Sequence, residues 1–448
     1  MMRTLILVVI AGLLAGATWF TRPKPVELSA FDDVGELFYP SFTDPLAAAE
    51  LEVVEFDADN GAAKIFNVVQ RNGIWTIPSH YDYPADAAER LADAAGTLVG
   101  LRKDVFQTDR IQDHETLSVI DPMDVTARTL SGRGTRVTLR DAAGTLLADY
   151  VLGGPVPDKP GMRYVRLPEQ KRVYAVEADV QFSTRFADWI ETDIISVGSP
   201  ELREIDIRDY AIDEQSGGIN DSGVIQLRRD ADEQWFIVDA PDDRAVNRTV
   251  VDRLTSSLVR MTITGIRPKP DAVIESLRNN ADFDVTPQLG MQLQSRGFFF
   301  TQEGRLLANE GEIAIGTNEG IRYVVRFGEV LYGSAEDVSR ERDGDAAVAA
   351  GVANRFVMLT AEFDDSLLPD RPEQPRIPED LPEEVQQRIL DGHEQQVQAW
   401  RETMQSARER AVFMNSQFAP WFYVISAADD AQLQVGLEEL LMPAASDD

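Results

Sequence analysis

The chain has 448 residues, room for roughly two to four domains, each with its own core. It carries 76 acidic against 43 basic residues, a net charge of −33, which repels nucleic acid and anionic lipid headgroups at range. The absence of cysteine excludes disulfides, cysteine-based zinc sites, thiol nucleophiles and a lipid-modified cysteine.

In chain order, Arg3 precedes an apolar run, Leu5–Phe20. Its sixteen residues span about 24 Å as a helix, slightly short of a ~30 Å hydrocarbon core. Trp19 and Phe20 then fall at the interface, with Arg22 and Lys24 beyond it. The run reads as an uncleaved signal anchor. A cleaved signal peptide ending at Ala15-Gly16-Ala17 is the alternative, and either one exports the body.

Leu51–Phe56 and Lys64–Gln70 are β-rich runs around Asp57–Gly61, a strand-turn-strand signature. Asn72-Gly73 marks a turn before a strand at Ile74–Ile77 with Trp75, then a Pro-containing turn and an amphipathic helix over Asp86–Leu101. Val105–Asp121 reads as irregular, Gly132–Asp149 as a hairpin split at Ala143-Gly144, and the surroundings of Tyr164 and Tyr174 as strands. Phe182–Glu191 reads as a short helix, Glu204–Ile212 as a strand and Gln215–Gly223 as a polar hairpin tip. Arg340–Gly351 is a linker and Phe356–Phe363 a strand. Prolines 369, 372, 375, 378 and 382 form an extended arm, and Phe418–Ile425 is strand-like. Between them Glu383–Ser416 is a long helix. Val385, Ile389, His393, Val397, Trp400, Met404, Ala407, Ala411 and Met414 recur along it about every 3.6 residues. That stripe either packs on its own domain or offers a face to a partner helix, with Val385, Ile389, Val397, Trp400 and Met404 as the partner-facing candidates.

The chain repeats itself. Trp75 and Trp235 stand 160 residues apart, Arg163 and Arg322 159, Tyr174 and Tyr332 158. In the two helices Arg90-Leu91 with Leu98 and Arg253-Leu254 with Met261 hold one seven-residue spacing. A period this long signals two copies of a whole domain rather than a solenoid. The expected fold is α+β: a tandem duplicated domain of antiparallel β-sheet with packed helices, an N-terminal transmembrane helix and a long C-terminal helix. The expected boundaries are 1–25 for the anchor, 26–195 and 196–340 for the repeat units, and 341–448 for a C-terminal extension.

No chemistry announces itself. The three histidines, His80, His114 and His393, lack paired metal spacing. His80 reads as a turn or surface residue and His393 as packed. Asp57-Ala58-Asp59-Asn60-Gly61 hints at a calcium loop, but Gly61 and Val68 occupy positions where an EF-hand needs oxygen donors. There is no GxSxG elbow, Walker loop or dinucleotide fingerprint. Trp75 and Trp235 could be sugar platforms, yet their repetition favours core wedges. Arg163-Tyr164 and Arg322-Tyr323 read likewise as structural anchors of the repeat. Neither an enzymatic activity nor a metal or other cofactor is expected.

Gly35–Asp57 and Asn72–Ala87 resemble the DUF4340 family of bacterial envelope proteins, and Asn354–Pro369 and Asn415–Ser426 resemble its longer, planctomycete-type members. Members often accompany gliding-motility-type ABC transporter components. The resemblance therefore implies a single-pass inner-membrane protein with its body in the periplasm, acting as an accessory scaffold beside protein partners of such a transporter. An exported binding protein for envelope glycan or peptide is the alternative, and a hydrolase the third reading.

Overall fold

A computed structural model describes residues 33–59, 61–178, 180, 182–213, 218–241, 244–279, 286–301, 305–333, 353–378 and 381–442. The apolar run Leu5–Phe20 and the linker Arg340–Gly351 lie outside these residues. Among the described residues no helix is long and apolar enough to cross a membrane.

The chain divides into two compact units, Met1–Gln70 with Ala88–Thr184, and Arg71–Ala87 with Arg185–Asp448. The first sheet uses β1 (Glu50–Asp57), β2 (Ala62–Arg71), β3 (Ile74–Ile77), β4 (Tyr83–Pro84), β5 (Val105–Thr108), β6 (Thr135–Arg140), β7 (Leu146–Pro155), β8 (Met162–Arg166) and β9 (Val173–Glu177). Their order is β4-β3-β2-β1-β6-β7-β8-β9-β5. Helix α1 (Ala88–Leu98) joins β4 to β5. The second sheet uses β10 (Leu202–Asp213), β11 (Gly218–Arg229), β12 (Trp235–Ile237) and β13 (Ile263–Pro268), with α2 (Arg248–Val259) joining the last two. Next come α3 (Asp271–Asn279), α4 (Pro287–Gln294) and a separate hairpin of β14 (Phe298–Phe300) and β15 (Leu306–Ala308). The sheet resumes with β16 (Glu312–Thr317), β17 (Ile321–Tyr332) and β18 (Ala353–Phe363). After α5 (Glu383–Phe418) it ends with β19 (Trp421–Ser426), followed by α6 (Ala427–Leu433) and α7 (Leu437–Leu440). Its order is β12-β11-β10-β16-β17-β18-β19-β13.

The two orders are one order. From β3 to β5 the first sheet reads, strand for strand, as the second does from β12 to β13. The strands form for the same reason in both. Apolar residues alternate, so that Leu51 and Val53 lie opposite Val68 and Phe66 on one side and Leu139 and Val137 on the other. Ile205 lies between Leu227 and Ile315 in the same way. All eight of these apolar residues other than Phe66 are β-branched or leucine, and burial of each stabilises by about 1.5–3 kcal/mol. At the β2–β3 turn Asn72 and Gly73 have φ of 53° and 81°, the left-handed pair a two-residue hairpin requires.

The helices fix the repeat register. Leu91, Ala94, Ala95 and Leu98 are the buried residues of α1, and Val251, Leu254, Thr255 and Leu258 those of α2. Each pair is 160 residues apart, the separation of the two tryptophans. The alignment of Leu91 with Leu254 is thus displaced by three residues, a slip that a helical stripe disguises because i and i+3 share a face.

Beyond β13 the linear offset fails, because the second copy is interrupted twice. Residues 109–134 of the first copy form a loop, where the second places α3, α4 and the β14–β15 hairpin. Residues 167–172 link β8 to β9, whereas residues 364–420 separate β18 from β19. The stretch expected as a C-terminal extension thereby supplies two interior strands of the second sheet. Arg163 and Arg322 lie on β8 and β17, and Tyr174 and Tyr332 on β9 and β17, which are not counterparts in the two orders.

Three local expectations need correction. The stretch from Val105 begins with a strand, β5, which pairs with β9. The remainder is ordered by arginine: the Arg133 guanidinium donates to the carbonyls of Asp121, Pro122, Asp124, Ala127 and Thr129 and stacks 4.1 Å from the Phe56 ring. The expected helix over Phe182–Glu191 is a 310 turn at Phe186–Trp189. The polar hairpin tip is shorter than expected, since β11 already begins at Gly218.

The α2 register has a direct check. Leu254→Ala should cost about 2–4 kcal/mol, while Arg253→Ala at the exposed neighbouring position should stay within about 0.5 kcal/mol, both read by denaturant unfolding of the full chain.

Candidate interaction site

The longer of the two interruptions of the second copy is the arm formed by residues 364–420, where the first copy has the short link 167–172. It starts on two glycines. A Cβ on Gly316 would lie 2.7 Å from Leu367, and one on Gly320 2.7 Å from Leu368. Glycine lets these leucines seat close against the β16–β17 turn without displacing their side-chain ends. Asp364 fixes the departure: its carboxylate accepts from Ser366 N at 3.0 Å and Ser366 Oγ at 2.6 Å and pairs with Arg322 Nε at 2.8 Å. Burial raises the Asp364 pKa, but these hydrogen bonds and the guanidinium outweigh it and hold the carboxyl below its ordinary value of 3.8. Arg322 also reaches Glu204 at 2.8 Å and Asp206 at 3.4 Å on β10, and Arg228 pairs with the same two acids. Burial opposes the charge on Arg322, and Glu204 and Asp364 outweigh it to raise its pKa.

From Pro369 to Pro378 a proline falls at every third residue, the period of a polyproline II turn. Pro372 and Pro375 are half-buried while Arg371, Glu373, Gln374 and Arg376 are exposed, so the arm has an inner and an outer side. Helix α5 returns along it. Pro382 precedes the helix, and Glu383 and Glu384 occupy its first turn, where the helix dipole favours negative charge. Trp400 Nε1 donates to the Pro369 carbonyl at 3.0 Å, and Gln386 Nε2 to the Leu381 carbonyl at 2.9 Å.

The C-terminal part of α5 is built into the unit. Ala407, Ala411 and Phe418 are buried, and α5 packs along β18; the two alanines permit close approach. Asn415 donates to the Leu277 carbonyl at 2.7 Å and accepts from Ala361 N at 3.3 Å. Lys269, 3% exposed, donates from Nζ to the Phe418 carbonyl at 3.0 Å and so caps the helix. Its burial, and then the charge of Arg326, push its pKa well below the usual lysine value. Pro420 blocks any continuation of the helix.

Of the helical stripe, Val397 is buried, and Val385, Ile389, Trp400 and Met404 are half-buried. The outer face is polar, with Gln387–Asp391, Gln398–Glu402 and Gln405–Glu409 hydrogen-bonded at i,i+4. The 36-residue helix is about 54 Å long, and of its four buried residues none precedes Val397. The leading third of α5, with the proline arm, is therefore presented outward.

The remaining sequence candidates stand elsewhere. Trp75 and Trp235 lie at matching positions of β3 and β12. Both are half-buried rather than core wedges, because these short strands lie at or next to a sheet edge. The Arg229 guanidinium covers the Trp235 ring at 5.3 Å. Arg163 donates to the Val180 carbonyl at 2.7 Å, and Tyr164 packs beside Val119, Val151 and Val173. Tyr323 is fully buried, edge-on to Phe418 at 6.4 Å. His80 is not a surface residue. It ends a 310 turn, is fully buried and stacks 4.4 Å from Phe186, beside Tyr83, which packs on Trp421. His114 is buried with Nε2 2.9 Å from the Lys171 carbonyl, and burial holds its pKa below the ordinary value. Among the described residues no group of three or more acidic or histidine side chains could hold a metal ion. Asp364, Lys269 and Asn415, which fix the arm, carry no sequence pattern of their own.

Residues 75–279, less than half of the chain, match the family model described as Domain of unknown function (DUF4340). The matched stretch starts at Trp75 on β3 and ends on α3, so it takes in parts of both copies and stops before the arm. No curated protein and no solved structure matches the chain.

If Trp400 ties the proline arm to the helix, Trp400→Phe should remove about 0.5–1.5 kcal/mol of local stability. Faster amide exchange at Arg371–Ile377, with β18 unchanged, is the expected signature.

Proposed function

We propose that the chain is a membrane-anchored extracytoplasmic scaffold, and that the arm of the second copy is its contact element for protein partners. One observation carries the reading: the two copies share a strand order, yet only the second places a long helix and a proline arm where the first has the short link 167–172. An arm tied to its own helix and presented outward on a β scaffold offers a preformed surface and limits the ordering cost of association. Export and anchoring rest on the apolar run Leu5–Phe20 with Arg3 before it. The net charge of −33 would keep the body away from anionic headgroups and leave the arm free. The resemblance to planctomycete-type DUF4340 proteins supports a gliding-motility-type ABC transporter assembly as the setting, in an inner membrane with the body in the periplasm.

A photo-crosslinking amino acid at Gln398 or Glu402, on the outer face of α5, tests this in the native envelope. The expected outcome is a discrete membrane-fraction adduct containing a transporter component, absent when the probe stands at exposed Asp232. Recovery of the chain as a monomer from a detergent-free extract, with no adduct from either arm position, would contradict the reading.

A further inference from the structure

At the base of the arm, within the second unit, lies a cleft of about 640 Å³. Its walls come from α3, from β15, β17 and β18, and from the C-terminal part of α5. Leu277 and Leu306 give it an apolar lining, and three arginines border it, Arg278, Arg326 and Arg408, against one carboxylate, Glu362. In a chain with 33 more acidic than basic charges, a cleft with the opposite balance calls for an account.

Two of the other polar groups, Asn415 and Arg326, are already engaged. Asn415 is committed at both ends of its amide. Arg326 pairs with Glu312 at 3.1 Å and donates to Thr360 Oγ1 at 3.0 Å. The remaining two arginines differ. Arg408 lies 4.8 Å over the Phe363 ring, held by a π face, and neither Arg278 nor Arg408 is ion-paired among the described residues. Arg278 and Arg408 therefore outnumber the one carboxylate, Glu362, and their two guanidinium groups keep free donors beside an apolar surface. Guanidinium donors match planar or tetrahedral oxyanions, and their bonds strengthen beside low-dielectric walls.

We propose that this cleft binds a small amphiphilic oxyanion, its phosphate or carboxylate head held by Arg278 and Arg408 and its apolar part lying on Leu277 and Leu306. The cleft volume suits a ligand of modest size. The proposal is independent of the arm's partner, since the ligand sits at the anchored end of α5.

The test uses the full chain in phosphatidylcholine nanodiscs and calorimetry with phenyl phosphate and benzoate. Inorganic phosphate and benzyl alcohol supply the head or the apolar group alone. At least one of the two aromatic anions should bind, roughly tenfold more tightly than either control, and whichever binds better names the head group. The double variant Arg278→Gln/Arg408→Gln, at exposed positions, should weaken that binding about tenfold without moving the unfolding midpoint. Failure of both anions to bind below about 10 mM, or equal binding by the double variant, would overturn the proposal.

Discussion

The second unit depends on one pairing, that of β18 with β19. Asn354, Arg355, Phe356 and Val357 lie opposite Ser426, Ile425, Val424 and Tyr423, and β19 pairs in turn with β13. Both strands are interior. Their backbone donors and acceptors have nowhere else to go, and leaving them unpaired in the core would cost about 1–3 kcal/mol for each group. Residues 364–420 must therefore leave the sheet and return in register. A helix is well suited to the return, because it satisfies its own backbone over a long path. The excursion is held at its exit by Asp364 with Arg322 and at its re-entry by Asn415, Phe418 and Lys269. Fixed at both feet, the arm can be presented outward without loosening the sheet beneath it.

That pairing also explains why the duplication looks cleaner at its start than at its end. From β3 to α2 the copies keep a constant offset, and Ile77 with Ile237, and Leu98 with Leu258, occupy equivalent buried places. After β13 the second copy gains α3, α4 and the β14–β15 hairpin. These form a second apolar cluster with Phe356, Met358 and Phe422 from β18 and β19. The first copy fills the corresponding stretch with a loop drawn around Arg133 and ends β8 and β9 with a short link. The same strand order thus supports an ordered loop in one copy and a helical layer with a projecting hairpin in the other.

Much of this was legible in the residues. β-rich runs marked β1 and β2, strand-like stretches marked β10 and β18, Asn72-Gly73 marked a turn, and the 3.6 period marked α5 nearly to its ends. Pairing over long separations was not legible. Nothing in Phe418–Ile425 reveals that it lies beside β18 and β13, since the same apolar run would suit an edge or a centre. Arg163 and Arg322 stand near a constant offset by coincidence of loop lengths, and the three-residue slip in the helices follows from the shared face of i and i+3. His80 looked exposed because a Pro turn usually is; the aromatic rings of Phe186 and Tyr83 that enclose it come from distant sequence. The arginines of the cleft come from α3, β17 and α5, so no spacing could have joined them.

The claim that the arm interrupts a sheet, rather than following a finished domain, has a clean test because the natural chain contains no cysteine. Facing residues of an antiparallel pair stand about 4.5–5.5 Å apart at Cα, within the reach of a disulfide. With Phe356→Cys and Val424→Cys in the full chain, mild oxidation should close one intramolecular bond in nearly every molecule, seen as thiol loss and a fragment link that survives proteolysis within the arm. Thiols that stay free in the folded protein, or that bridge only between molecules, would contradict the account.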